Sequence, residues 1–214
     1  MSEQNLDEVI YNQEGLTEKQ KKILEAAIET FAEKGFAATS TSEIAKKAGV
    51  AEGTIFRHYK TKKELLMKIV SPMMFKLIGP IVINDLYKVL DQEFDDFEEF
   101  LRAMIDNREQ FLKNNIKTIR ILIQEIPFQE ELREQFIEHI GKKVYGRFRR
   151  IVQHYQEKEQ IIVMNPDTVI RLIISTVLGY FATKYVISPR EWNDEEEIER
   201  MLGFLKRGLT PIKK

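Results

Sequence analysis

Residues 40–62, STSEIAKKAGVAEGTIFRHYKTK, decide the fold of the N-terminal part of this chain. Two short helical runs in this stretch are separated by Gly49, and glycine tolerates the positive φ that a tight turn between helices requires. Ala45 lets two helix backbones approach closely, and the β-branched Ile55 can lock the second helix onto the first. This spacing predicts a helix-turn-helix, in which the second helix is free to lie in a DNA major groove.

The later helix of this pair, which is the third helix of the chain, carries side chains that suit DNA binding better than a purely structural role. Thr54 can bond a base edge or a phosphate, and the ring of Phe56 can contact a thymine methyl group. Arg57 can reach either a guanine or a phosphate. The DNA-binding candidates of this region are hydroxyl, aromatic and cationic groups, namely Thr54, Phe56, Arg57, His58, Tyr59 and Lys60.

The charge of the chain is unevenly distributed. The overall net charge of −1 argues against nucleic-acid binding by the whole chain. Residues 43–63, however, contain six cations and two carboxylates, a local net charge of +4. Lys62 falls in the first turn of a predicted fourth helix, where it can clamp a phosphate together with free backbone N–H groups. A basic patch of this kind attracts the phosphates of DNA.

A dozen positions of different chemistry stand at fixed spacing in the first third of the chain: FAEKGF (31–36), TSEIA (41–45), AGV (48–50), GTIF (53–56), HY (58–59) and KKELL (62–66). In these segments the chain resembles the TetR family of transcriptional regulators. The resemblance implies a homodimeric repressor on a palindromic DNA operator, with recognition helices roughly 34–36 Å apart. It also implies release when a small molecule enters the C-terminal body and shifts the fourth helix.

The resemblance also assigns roles to individual residues. It makes Thr41 a phosphate contact at the start of the second helix, and Ser42 a neighbour that can reach a base. His58 and Lys62 become phosphate contacts, while Thr54 and Phe56 become groove contacts. The chain departs from the family pattern at Glu52, whose carboxylate either reads a cytosine N4 group or points away.

The sequence predicts an all-α chain in three parts. Residues 1–15 are polar and acidic, so we expect a mobile tail. Residues 16–61 are predicted to form a three-helix helix-turn-helix domain that binds DNA. Residues 62–214 are predicted to form a larger helical domain for ligand sensing and dimerisation.

Local signals mark several helix ends. Thr17 and Gln20 have the spacing of a capping box that opens the first helix. The second helix can be capped by either Ser40 or Thr41. Residues 161–164 are the one candidate strand.

Methionine and phenylalanine are frequent in the predicted C-terminal domain. They fit a simple core, but methionine packs adaptably and also suits a cavity for varied apolar guests. We therefore expect a small apolar effector there. The candidate ligand-binding residues are Met74, Phe97, Phe100, Met104 and Phe111.

Residues 168–186 are apolar on nearly all sides of the predicted helix. Such a helix must be covered both by its own core and by another chain. The last helix adds one apolar stripe, so two helices from each subunit would make a four-helix interface, as is usual in TetR-like proteins. The candidate interface residues are Ile174, Val177, Leu178, Phe181, Leu202 and Leu205.

Several kinds of site are excluded by the composition. The chain has no cysteine, which removes disulfides, thiolate metal sites and cysteine nucleophiles. His139 and His154 lack a carboxylate three residues before them, so the pattern of di-iron bundles is absent. No nucleophile–base pair and no glycine-rich phosphate loop is visible. We therefore expect no enzymatic activity, no cofactor and no metal.

No uninterrupted apolar run reaches the roughly 20 residues that span a bilayer, and the N-terminus carries no secretion signal. A cytoplasmic protein with no membrane partner is expected. The sequence leaves open an enzyme, a DNA-bound activator and an architectural protein that needs no ligand.

Overall fold

Helices are the only regular secondary structure in residues 14–72, 78–187 and 193–211, which are the residues that this computed structural model describes. The prediction of an all-α chain is confirmed. Residues 161–164 are a connector rather than a strand, and the N–H of Ile162 donates to the carbonyl of Leu209 at 2.7 Å.

Eleven α-helices occur in the described part of the chain: α1 (Glu18–Lys34), α2 (Thr41–Ala48), α3 (Glu52–His58), α4 (Lys62–Pro72), α5 (Ile78–Leu90), α6 (Phe97–Asn114), α7 (Ile116–Glu125), α8 (Glu130–Phe136), α9 (Lys142–Glu157), α10 (Pro166–Ala182) and α11 (Asp194–Leu209). A π-helical turn, Ile137–Gly141, joins α8 to α9, and a second, Thr183–Ile187, extends α10.

These helices form two compact units. The first unit holds α1 to α4 together with α7 and α8, and α7 packs on α1 within it. The second unit holds α9, α10, α11 and most of α6. Because residues 112–141 group with the N-terminal helices, the units do not coincide with the predicted division at residue 62. The functional division of the chain stays a prediction.

Helix α1 begins and ends where its sequence signals stand. The N–H of Gln20 donates to the Thr17 hydroxyl at 3.3 Å, and the N–H of Thr17 donates back to the Gln20 side chain at 3.0 Å. The capping box is therefore present. At the other end the N–H of Gly35 donates to the carbonyl of Phe31 at 2.8 Å, and Gly35 takes a φ of +81°.

The corner between α2 and α3 follows the predicted logic. Ser40, rather than Thr41, caps α2 by accepting from the N–H of Glu43 at 3.2 Å. Gly49 ends α2 in the left-handed conformation, with φ of +67° and ψ of 34°, which glycine adopts without steric cost. Ala45 and Ile55 are both buried. The two short helices are thus held by small and β-branched side chains, leaving the outer face of α3 uncovered.

The core of the second unit is built around α6 and α9. The rings of Phe97 and Phe100 lie 5.2 Å and 6.1 Å from the ring of Tyr155, measured between centroids. Helix α11 is capped by Asn193, whose side chain accepts from the N–H of Glu196 at 3.4 Å. Its apolar stripe is buried: Ile198, Met201, Leu202, Leu205 and Leu209.

The segment Pro166–Ile187 is long and apolar enough to cross a membrane, with a mean hydropathy of 1.4 over its most apolar window. The segment meets this test by its mean hydropathy and not by an uninterrupted apolar run, because scattered polar residues interrupt its apolar runs without lowering the mean. One such helix is weak evidence of a membrane span. Within the chain, 22% of that window is buried, and the remainder is half-buried or exposed.

Candidate nucleic-acid interface

Helix α3 presents opposite environments at neighbouring positions. Ile55 is 1% exposed, whereas Phe56 is 48% exposed. Thr54 is half-buried and Arg57 is exposed. Because the isoleucine holds the helix against α2, the ring of Phe56 points away from the core. The outer face of α3 therefore offers aromatic, hydroxyl and cationic groups together, next to the half-buried His58.

Tyr59 does not belong to this outer face. Its side chain is 3% exposed, and no group in the described ranges bonds to its hydroxyl. Burial, together with the negative charge of Glu64, raises the pKa of Tyr59 to about 12. The prediction that Tyr59 contacts DNA is wrong, because the chain leaves the helix here and turns the ring inward. Lys60 is exposed, as a DNA contact requires.

Lys62 is also used differently from the prediction. Its ammonium group donates to the carbonyls of Phe36 and Thr39, each at 2.7 Å, and lies 4.4 Å from the centroid of the Phe36 ring. These carbonyls belong to the connection between α1 and α2. The side chain thus ties the start of α4 to that connection, and two of its three N–H donors are used there.

The hydroxyl of Thr41 donates to a carboxylate oxygen of Glu52 at 2.6 Å. This bond joins the first residue of α2 to the first residue of α3. Of the two alternatives for Glu52, the structure has its carboxylate directed across the corner to Thr41. Ser42, beside Thr41, is exposed.

Part of the basic patch is neutralised inside the first unit. The ammonium of Lys47 lies 3.1 Å from a carboxylate oxygen of Glu29 and 3.4 Å from one of Glu33. The hydrogen bond from Lys47 is the largest influence on Glu29 and lowers the pKa of its carboxyl group. Four cations of residues 43–63 make neither an ion pair nor a side-chain hydrogen bond within the described residues: Lys46, Arg57, Lys60 and Lys63. The local charge that faces outward is therefore carried by these four side chains.

The predicted interface residues fall into two groups. Ile174 and Leu178 on α10 are exposed, Leu178 to 57%, and Val177 is half-buried. Phe181, Leu202 and Leu205 are buried within the chain, so their assignment to an interface is wrong. The exposed apolar residue of α11 is instead Phe204, at 64%.

The regular apolar spacing of α11 predicts the wrong stripe for an interface. That spacing marks the face that packs on the chain's own core. Phe204 could have been identified as an exposed residue because it is an aromatic side chain that lies outside the regular apolar stripe of α11.

The structure brings only some of the predicted ligand-binding residues together: the rings of Phe97 and Phe100 stack with their centroids 6.1 Å apart. Phe100 lines an open cleft of about 540 Å³ in the second unit, together with Leu90, Ile151 and Tyr155. Phe97 and Met104 are buried but do not line this cleft, and Phe111 packs beneath Arg108, at 5.0 Å from the ring centroid. Met74 lies outside the described residues. The cleft also has charged walls: Asp91, Glu93 and Asp95 on the α5–α6 connection, and Arg147, Arg150 and Lys158.

The second unit contains an ion-pair network that the sequence pattern does not predict. Lys184 binds carboxylate oxygens of both Glu109 and Asp194, the latter at 2.6 Å. Burial disfavours the charged lysine, but its bonds to Asp194 and Glu109 outweigh this effect and raise the pKa of Lys184. A lysine in an otherwise apolar helical run was the available signal. Among the described residues, no group of three or more potential ligands could hold a metal ion.

The corner between α2 and α3, with an outward face of Thr54, Phe56 and Arg57, defines a helix-turn-helix DNA-binding protein. Residues 23–69 match the family model described as bacterial regulatory proteins, tetR family. Over 196 residues the chain is 49% identical to the HTH-type transcriptional regulator YvkB of Bacillus subtilis, an alignment that covers 89% of this chain and 96% of that relative. The chain belongs to the TetR family of bacterial transcriptional regulators.

Solved structures show the same fold. The transcriptional regulator FadR from Bacillus subtilis, in complex with stearoyl-CoA, matches with a TM-score of 0.61 and 23% identity, covering 87% of this chain and 97% of that one. The ketosteroid transcriptional regulator KstR2 of Mycobacterium tuberculosis matches with a TM-score of 0.67 and 18% identity, covering 89% and 94%. The relatives are transcriptional regulators rather than enzymes.

Proposed function

We propose that this TetR-family chain is a cytoplasmic, homodimeric repressor that binds a palindromic operator and is released by a small ligand. The observation that carries the proposal is the asymmetry of α3, where buried Ile55 is followed by a Phe56 ring that is 48% exposed. A large aromatic side chain held outward on a short helix contributes little to the core. It suits contact with a thymine methyl group in a major groove.

The side chains around Phe56 differ in the part of the DNA that they contact. Thr54 and His58 are both half-buried and lie one turn apart on α3. Following the family resemblance, we assign Thr54 to a base edge and His58 to the sugar-phosphate wall. Arg57 is exposed and can reach a guanine or a phosphate. Ser42 and Lys60 are exposed at the margins of the same region and add contacts of lower sequence specificity.

The proposed dimer rests on apolar side chains that the chain leaves uncovered. Leu172, Ile174 and Leu178 on α10 and Phe204 on α11 are exposed, and α10 packs on α11 within one chain. Exposed apolar groups on adjacent helices favour pairing with another copy across a two-fold axis. Two copies would then present two α3 helices to successive grooves.

The proposed ligand site is the cleft that Phe100 lines. Its floor is apolar, but its walls carry both carboxylates and cations. A ligand that fills it would therefore combine an apolar body with polar groups, rather than being wholly apolar as the sequence predicts. Binding there would release the operator if the free and DNA-bound forms hold the ligand with different affinity.

A reporter assay tests the direction of regulation. The DNA upstream of the chain's own gene is fused to a reporter and measured with and without the protein. We expect lower reporter output with the wild-type chain and restored output with Phe56→Ala. Higher output with the wild-type chain would identify an activator and overturn the repressor assignment.

A thermal-shift screen tests the ligand. Compounds that combine an apolar body with a charged group should raise the melting temperature, because a ligand that binds the folded state stabilises it by mass action. Phe100→Ala would be expected to abolish the shift. A shift that persists in this variant would place the ligand elsewhere.

A further inference from the structure

The carboxylate of Glu52 stands on the face of α3 that the proposed function assigns to DNA. Glu52 is exposed, and Phe56 follows it by four residues, so both lie on one side of the helix. DNA presents phosphate oxygens and mostly acceptor atoms on this approach, and these repel a carboxylate. No cation in the described ranges forms an ion pair with Glu52 to cancel that repulsion.

The Thr41 hydroxyl already has an acceptor within the chain, since it donates to Glu52 at 2.6 Å. A hydroxyl carries one hydrogen, so it cannot donate to Glu52 and to a DNA phosphate at the same time. The carboxylate thus takes the bond that a phosphate oxygen would otherwise accept at the start of α2. In charge and in hydrogen bonding, Glu52 stands in for a phosphate.

We propose that Glu52 is an affinity-limiting residue, which competes with DNA phosphate for the Thr41 hydroxyl and repels the backbone of any duplex. The proposal rests on the proposed function, because it requires α3 to enter a groove. Binding to arbitrary DNA depends mainly on phosphate electrostatics. One carboxylate at this position therefore keeps such binding weak, so that occupancy depends on the base contacts of the operator.

The opposite reading of the same residue makes a different prediction. If Glu52 accepted a hydrogen bond from a cytosine N4 group, its removal would weaken binding to the operator and leave binding to other sequences unchanged. A phosphate substitute instead weakens binding everywhere, so its removal strengthens binding everywhere. The sign of the change on the operator separates the two.

The test is a fluorescence anisotropy titration of the full-length chain on an operator duplex and on a scrambled duplex at one low salt concentration. Glu52→Gln should bind both duplexes about 3- to 10-fold more tightly for each subunit that contacts the DNA, as expected for removing one charge a few ångströms from a phosphate in water. Glu25→Gln is the matched control: it removes an exposed carboxylate on α1, and its affinities should stay within about twofold of wild type.

A double-mutant cycle tests the hydroxyl itself. Thr41→Val should change DNA affinity little in the wild-type chain, where the hydroxyl is occupied by Glu52. In the Glu52→Ala background it should lower affinity, because the freed hydroxyl then has a phosphate to donate to. Melting curves from circular dichroism establish that each variant is folded.

Several outcomes overturn the proposal. The proposal is wrong if Glu52→Gln binds the operator more weakly than the wild type, or if its DNA affinities do not change. It is also wrong if Glu25→Gln raises DNA affinity as much as Glu52→Gln does, or if the effects of Thr41→Val and Glu52→Ala on DNA affinity simply add. Each of them leaves the proposed function intact so long as the wild-type chain prefers the operator. A wild-type chain that binds neither duplex overturns both.

Discussion

Lys62 shows how a single cation can serve the fold instead of DNA. It makes two hydrogen bonds of 2.7 Å to carbonyls of the α1–α2 connection. Lys62→Met keeps the apolar stem but removes these donors. We expect it to lower the free energy of unfolding by about 1–2 kcal/mol, because two carbonyls lose a charged donor. The slope of the logarithm of the DNA-binding constant against the logarithm of salt concentration should not change.

Chemical denaturation and salt titration measure the two quantities for Lys62→Met. Lys63→Met is the control, because Lys63 is exposed on the same helix and forms no ion pair within the described residues. It should leave the free energy of unfolding unchanged. A salt slope shallower by about one in Lys62→Met, with unaltered stability, would show a phosphate contact after all.

Tyr59 gives a prediction on pH. Its pKa of about 12 in the folded chain exceeds the ordinary value of about 10 in an unfolded one. The protonated phenol therefore stabilises the fold fully below pH 10, and this stabilisation is lost as the pH rises from about 10 to about 12. Tyr59→Phe cannot lose a proton. We expect its free energy of unfolding to fall less than that of the wild type across this window.

Urea denaturation of both chains at pH 8 and at about pH 11 makes the comparison. The difference between them isolates Tyr59 from other tyrosines, such as Tyr185, whose pKa is also raised, mainly by burial. Parallel losses of stability in the two chains would show that the Tyr59 hydroxyl reaches solvent.

The residues of α3 show what a sequence can predict at this scale. Helical periodicity separates the neighbours Ile55 and Phe56 by about 100°, so the sequence predicts different surroundings for them, as the structure shows. The inward position of Tyr59 is not predicted, because the chain leaves the helix at this residue and helical periodicity no longer applies. The hydrogen bonds of Lys62 are not predicted either, because its partners lie 26 and 23 residues earlier in the chain, and nothing in the local sequence pattern brings them close.

At the scale of elements, α10 and α11 each carry one apolar side chain that is more than half exposed: Leu178 and Phe204. If these helices pair with another copy, Phe204→Glu and Leu178→Glu place an unpaired charge in the interface. Both variants should remain folded, since neither side chain is in the core, and both should sediment as monomers at concentrations where the wild type is a dimer.

Two matched variants bracket this prediction. Val163→Glu changes an almost fully exposed apolar residue away from α10 and α11, and it should leave the dimer intact. Leu202→Glu changes a buried residue of α11 and should unfold the chain. A Phe204→Glu chain that stays dimeric in sedimentation velocity would exclude this face as the interface.

Element boundaries were largely predictable and the choice of exposed face was not. The helix caps at Thr17, Ser40 and Asn193 join residues that are close in the sequence, so the local sequence is enough to predict them. Whether an apolar stripe faces the chain's own core or another chain depends on packing partners that are distant in sequence. The same limit hid the pairing of Lys184 with Glu109, which are 75 residues apart.

At the scale of the whole molecule, function depends on charge placement more than on total charge. The net charge is −1, yet Lys46, Arg57, Lys60 and Lys63 are free of ion pairs within the described part of the first unit. Two copies would double this set on one duplex. We therefore expect the binding constant for any duplex to fall steeply as the salt concentration rises. Binding releases counterions from the DNA phosphates, and a higher salt concentration opposes that release.

The most direct measurement is a binding titration of wild-type chain and Phe56→Ala on an operator duplex from upstream DNA and on a scrambled duplex, over several salt concentrations. The wild type should prefer the operator by about a thousandfold or more. Phe56→Ala should lose about 1–3 kcal/mol of binding free energy on the operator and little on the scrambled duplex, as expected for a base contact. Equal affinity of the wild type for both duplexes, or an equal loss on both in Phe56→Ala, would contradict the assignment of α3 as the helix that reads DNA.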